Sequence, residues 1–285
     1  MIRVIDGTKG LETAFPGGRF SLPDWERYLD AAAPGVRVLC EADLREVLAE
    51  GLSWEGDFVP LLNGAWADEA CRARAAASLR AVTEGLDARV AARFGKSADA
   101  DILLYLGLGN GAGWVTPVNG KTTILMGLEK IVELGWDSVD DMNGLVLHEL
   151  GHVYQEQYGV LRRRHDRPAD AFLWQLFTEG IAMVFEQELA GGPAYYHQDK
   201  NGWKRWCDGN AGQLARDFQA DLPAMTRGTQ RYFGDWALYH GRPDTGYYLG
   251  ARLVRHMMET APFDALISYD VPAVRRGFDS FLQTL

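Results

Sequence analysis

Cysteine is scarce in this chain of 285 residues: there are three, Cys40, Cys71 and Cys207. An odd number without metal-binding spacing argues against a disulfide framework and a cysteine-built zinc site, and fits a reduced compartment. No apolar run approaches the ~18 residues that span a bilayer, and Met1-Ile2-Arg3-Val4-Ile5-Asp6 has no apolar signal core. A cytoplasmic location is therefore expected. Positive charge is also short. The 29 Lys and Arg against 39 Asp and Glu leave a net charge of −10, which argues against nucleic acid and anionic membranes as partners. Repeats and low-complexity segments are absent. Histidine is rare too, with six in the whole chain.

Two of those six stand together in Leu145-Val146-Leu147-His148-Glu149-Leu150-Gly151-His152-Val153-Tyr154. Residues four apart on a helix share a face, so His148 and His152 can grip a single ion. Glu149 is turned about 100° from His148 and can reach a water on that ion without being a ligand. Neutral imidazole suits Zn²⁺, which keeps an open position when it is catalytic. Met142, Leu145, Val146, Leu150 and Val153 already supply an apolar stripe, so core packing alone does not account for two histidines and a carboxylate. Ser138 with Asp141 makes a capping pair for this helix, and Gly159 supplies its stop.

A third ligand is needed. Gln155 and Tyr158 stand where a Gly and a His would continue a metzincin motif, so that reading fails. The alternative is a glutamate from the next helix, as in sites with two His and one Glu. Pro168 to Leu189 reads as that helix, stopped by Gly191-Gly192-Pro193. Within Thr178-Glu179-Gly180-Ile181-Ala182, Glu179 shares the inward face with Leu176 and Met183, where an unpaired carboxylate is costly. Glu186, one heptad further on, is its rival.

Elsewhere, helices are expected from Ser21 to Ala32 and from Glu41 to Glu50, with a strand or extended linker over Asp57–Leu62. Leu79, Val82, Leu86, Val90 and Phe94 mark one long amphipathic helix or two. Asp101–Leu108 is a compact apolar run and reads as a buried strand. The glycines at 107, 109, 111 and 113 have the wrong spacing for a phosphate loop. Asn119-Gly120 signals a hairpin leading into a strand at Lys121–Met126, and Leu128–Leu134 is a short helix. Arg162-Arg163-Arg164 lies between the two metal helices, either as a solvated loop or as a basic rim for acidic substrate segments. The aromatics after Pro193 are read as packing for a helical C-terminal lobe, which closes with a helix from Tyr247 to Thr260.

His148-Glu149-x-x-His152 followed by Thr178-Glu179-Gly180-Ile181-Ala182 resembles the gluzincin metallopeptidases. Gly111-Ala112-Gly113-Trp114-Val115-Thr116, Met126-Gly127-Leu128-Glu129 and Gly246-Tyr247-Tyr248-Leu249-Gly250 resemble, more narrowly, a family of uncharacterised bacterial predicted zinc proteases. The likeness covers roughly Asp101 to Glu259. It departs at Met183, where thermolysin-like enzymes place an aspartate, and Asn110–Trp114 lacks the glutamate of an exopeptidase motif.

The resemblance implies an α+β, mainly helical fold: a zincin-like core of small mixed sheet and two zinc helices over 97–190. A mostly helical region over 1–96 would precede it, and a helical lobe over 191–285 would follow. It implies one Zn²⁺ per chain on His148, His152 and Glu179, Glu149 as general base, and a peptide or protein substrate. Gly113, Trp114, Ile124 and Met126 would contact that substrate, through an edge strand able to pair with an extended peptide. The oxyanion donor would be Tyr247, with Tyr248 and His240 as rivals.

Overall fold

The computed structural model describes all 285 residues, in a mainly helical chain with one four-stranded mixed sheet. No helix is long and apolar enough to cross a membrane. The chain forms two compact units, Met1–Glu149 and Leu150–Leu285.

The first unit is built on the sheet β1 (Ile2–Asp6), β2 (Ala100–Tyr105), β3 (Trp114–Val118) and β4 (Lys121–Gly127), in the order β1-β2-β4-β3. β2 is buried along its whole length and pairs in parallel with both β1 and β4. A strand covered on both faces reads as a continuous apolar run, as Asp101–Leu108 does. β3 returns antiparallel to β4. Asn119 and Gly120 turn that hairpin with φ of 50° and 80°, the left-handed pair that matches strand twist.

Around the sheet stand α1 (Leu22–Ala32), α2 (Val36–Ala49), α3 (Val59–Ala67), α4 (Glu69–Thr83), α5 (Leu86–Phe94) and α6 (Leu128–Leu134). Trp25 and Leu29 of α1 are fully buried, and Trp25 Nε1 donates to the Leu106 carbonyl at 2.9 Å.

Two sequence expectations change here and an open one is decided. Asp57–Leu62 is not extended: a π-turn over Trp54–Phe58 runs into α3, whose first turn holds Pro60, where the missing N–H costs nothing. The amphipathic stretch, read as one helix or two, is two, broken at Gly85, whose φ is 66°. Residues 1–96 are not a separate region either. Ile2 to Asp6 pair with Ala100 to Leu104, so β1 completes the sheet that the expected boundary at 97 would cut off.

α7 (Val139–Tyr158) runs from the first unit into the second. The second unit also contains α8 (Pro168–Ala190), α9 (Trp203–Asp221), α10 (Thr245–Met258), α11 (Phe263–Leu266) and α12 (Val271–Leu282). α8 is buried almost all round between Leu173 and Gln187, as expected of a helix surrounded by others. α10 and α12 pack against it.

α8 and α10 meet backbone to backbone at Gly180 and Gly250. A Cβ built on Gly180 would lie 2.3 Å from the Gly250 carbonyl oxygen. Gly180→Ala must therefore separate the helices, and about 1–3 kcal/mol of stability should be lost by overpacking. Gly209 in α9 has nothing within 4 Å of the same position, so Gly209→Ala should be neutral or gain up to ~1 kcal/mol. Urea midpoints of the two variants check the contrast.

Candidate metal centre

The helix that carries both histidines begins and ends for local reasons. The Asp141 backbone N–H donates to Ser138 Oγ at 3.1 Å, and Ser138 Oγ donates to the Asp141 carboxylate at 2.7 Å. At the other end the Gly159 N–H closes on the Gln155 carbonyl. A Cβ on Gly159 would meet the Ile267 carbonyl at 2.2 Å, so the stop is also a packing site. Between these ends Leu147, Leu150 and Val153 are fully buried, and His148 and Glu149 are nearly so.

α7 and α8 come close at a small-residue contact, where a Cβ on Gly151 would lie 2.8 Å from the Ala182 Cα. His152 follows Gly151, and Glu179 precedes Ala182 by one turn. The outcome is His152 Nε2 at 3.2 Å from Glu179 Oε2. The donor atoms of His148, His152 and Glu179 all lie within 4.8 Å of one another. These three residues form a group that can hold a metal ion. Glu179 is 15% exposed and His152 12%, which leaves the group mostly dry with a way in.

Glu186 is used elsewhere. It is fully buried, and its Oε1 lies 2.9 Å from His197 Nδ1 and 3.3 Å from the His197 N–H. Its place one heptad after Glu179 leads it away from the histidines of α7.

Glu149 faces the loop that enters β3. A Cβ on Gly113 would stand 2.7 Å from both Cγ and Oε1 of Glu149, so a side chain here would push this carboxylate aside. Trp114 opens β3 and donates its indole N–H to the Tyr105 hydroxyl at 3.1 Å. Ile124 and Met126, expected to touch substrate, do not suit that role. Both side chains are fully buried, and β4 is paired on both sides, by β2 and β3. The edge strand beside β4 is β3.

Of the three oxyanion candidates, Tyr248 is committed to the core. It is fully buried, donates to Asp208 Oδ1 at 2.9 Å and accepts from Arg252 at 2.7 Å. Desolvation pushes its hydroxyl well above the ordinary tyrosine range. His240 is exposed at a left-handed position with its ring nearly perpendicular to that of Tyr239. Tyr247 is half-buried, one turn before Gly250, with its ring against Phe233.

Most of the C-terminal aromatics are packing, including Tyr196, Trp203, Phe218, Tyr232, Phe233 and Tyr239; Trp236 is the exposed exception. Arg162, Arg163 and Arg164 lie on the surface, where Arg162 pairs with Glu156 and Arg163 lies over Trp174. The three cysteines are buried thiols, and burial pushes Cys40 and Cys207 up to about 12 and Cys71 up to about 11. Such thiols are inert. Sequence reasoning gave no role to Glu129, which lies fully buried beneath the loop leading to Gly113.

Comparison with protein-family models, with curated proteins and with solved structures returned no match.

Proposed function

We propose that this chain is a zinc-dependent metallopeptidase with a zincin-like core formed by the sheet, α7 and α8. The observation that carries the reading is the group His148, His152 and Glu179, with Glu149 next to the first ligand. The donor chemistry fits zinc. Bonds of ~2.0–2.1 Å to a tetrahedral ion put neighbouring ligand atoms about 3.3 Å apart, and His152 Nε2 and Glu179 Oε2 are 3.2 Å apart. Three protein ligands leave the fourth position open, the mark of a catalytic rather than a structural site.

When bound, the ion supplies Lewis-acid polarisation of the scissile carbonyl and lowers the pKa of water at the open position towards ~7. Glu149 takes the proton of the attacking water and returns it to the leaving amine. Tyr247 donates its hydroxyl to the oxyanion. An extended substrate pairs along the outer edge of β3, positioned by Gly113 and Trp114. Buried, unjoined cysteines support a cytoplasmic protein, and the net charge of −10 supports peptides rather than nucleic acid as partners.

Purified protein should hold about one zinc per chain, lost to chelators and restored on addition. Binding should weaken in acid, because ligation requires both imidazoles neutral. Full zinc occupancy in His148→Ala or His152→Ala protein would remove the reading.

The tyrosine assignment has its own check. Tyr247→Phe should lower kcat by ~10²-fold with KM and zinc content little changed, since an oxyanion donor acts in the transition state. Tyr248→Phe should leave kcat near normal and cost about 1–3 kcal/mol, because Asp208 and Arg252 lose a buried partner. Kinetics and thermal melts on both variants decide, and a normal kcat in Tyr247→Phe clears that residue.

A further inference from the structure

The segment Gly107–Gly113 carries four glycines, at 107, 109, 111 and 113. Such a stretch loses unusually much backbone entropy on ordering, yet Gly113 must stay against Glu149. The residue that holds it is Glu129, at the start of α6. Its side chain is fully buried. Oε2 accepts the Gly107 N–H at 2.8 Å and Oε1 accepts the Gly109 N–H at 2.9 Å. A Cβ on Gly107 would lie 2.6 Å from Oε1, so the loop is wrapped directly on the carboxylate.

Further ties share the work. Asn110 accepts the Leu108 N–H and donates to the Cys40 carbonyl and Asp43 of α2. The Gly127 N–H holds the Ala112 carbonyl at 3.0 Å. None of these ties reaches the two glycines that Glu129 grips. A buried carboxylate is an expensive way to fill a core, and burial pushes its pKa up against the pull of the loop N–H groups. An apolar side chain here would leave the Gly107 and Gly109 N–H groups without their acceptor.

We propose that Glu129 is a positioning residue for the general base: its carboxylate fixes the Gly107–Gly113 loop, and the loop confines the Glu149 side chain through Gly113. The inference rests on the reading of Glu149 as general base. Glu129 touches neither substrate nor metal and acts only through the loop.

Glu129→Gln keeps the size of the side chain but turns an amide N–H₂ towards a backbone N–H. It should fold, hold its zinc and lose about 10²-fold in kcat, the scale of a ~1 Å misplacement, with KM little changed. Glu129→Asp keeps the charge on a shorter arm and should fall between Gln and wild type. Gly113→Ala should repeat the kcat loss from the other end of the contact. Combined with Glu129→Gln, it should lose less than the product of the two single effects, because both disturb one contact. A zinc-loaded, folded Glu129→Gln protein with wild-type kcat overturns the inference alone, as does a rise in KM at unchanged kcat. Should the Gln variant fail to fold, the Asp variant decides by the same measurements. Wild-type zinc protein that cleaves no peptide overturns the peptidase reading and the inference with it.

Discussion

Replacing Glu149 by glutamine is expected to leave zinc content and thermal stability unchanged while peptide hydrolysis falls by about 10²–10⁴-fold. That is the usual contribution of a positioned general acid–base. The two side chains have the same shape, so the close pass of Gly113 over the Glu149 side chain is preserved. Glutamine cannot accept the proton of the attacking water or hand it to the leaving amine. The loss should appear in kcat and in kcat/KM alike, because the interaction is made in the transition state. Retained zinc is the informative half of the result. Loss of metal to the degree seen in histidine variants would make Glu149 a ligand, and the assignment of roles on α7 would have to be redrawn.

The second large effect separates the two glutamates of α8. Glu179→Ala removes one of three donors, and metal affinity should fall by more than ~100-fold, since even an outer partner of a ligand costs 10–100-fold. The fold should survive, because this carboxylate is partly exposed. Glu186→Ala should do the reverse. Its carboxylate is the buried partner of His197, so about 1–3 kcal/mol of stability should go while metal affinity stays near wild type. Zinc titration and denaturant melts on the pair give four numbers, and the crossed pattern is the expected one. A loss of metal in Glu186→Ala with full binding in Glu179→Ala would show the wrong carboxylate was chosen.

α7 was legible in the sequence because its signals are local. Ser138, Asp141 and Gly159 act within a turn or two of themselves, and the spacing of His148 and His152 is a property of one helix. The choice between Glu179 and Glu186 was only half legible. Helical periodicity puts residues seven apart on nearly the same face, and what separates these two is the partner each meets. His197, eleven residues beyond Glu186, leaves no trace in the pattern of α8.

Non-local pairing was less visible still. The hairpin at Asn119-Gly120 joins β3 to β4, but nothing near it says that β2 takes the other side of β4 and buries Ile124 and Met126. β1 is five residues long, and its partner lies almost a hundred residues away, which is why the N-terminal segment read as a separate region. Glu129 was hidden for another reason. An acidic residue in the first turn of a short helix is ordinary, and only the Gly107 and Gly109 N–H groups arriving from before β3 give it a role.

Zinc-dependent peptidase activity is tested most directly by digestion of a peptide library with the zinc-loaded protein, read by mass spectrometry. Glu149→Gln protein carrying the same zinc, and wild-type protein stripped by a chelator, are run in parallel. New peptide termini are expected with the wild-type holoprotein, almost none in either control, and recovery when zinc is returned to the stripped protein. Equal cleavage by the wild type and the zinc-loaded Glu149→Gln protein would rule out Glu149 as the general base of a zinc peptidase.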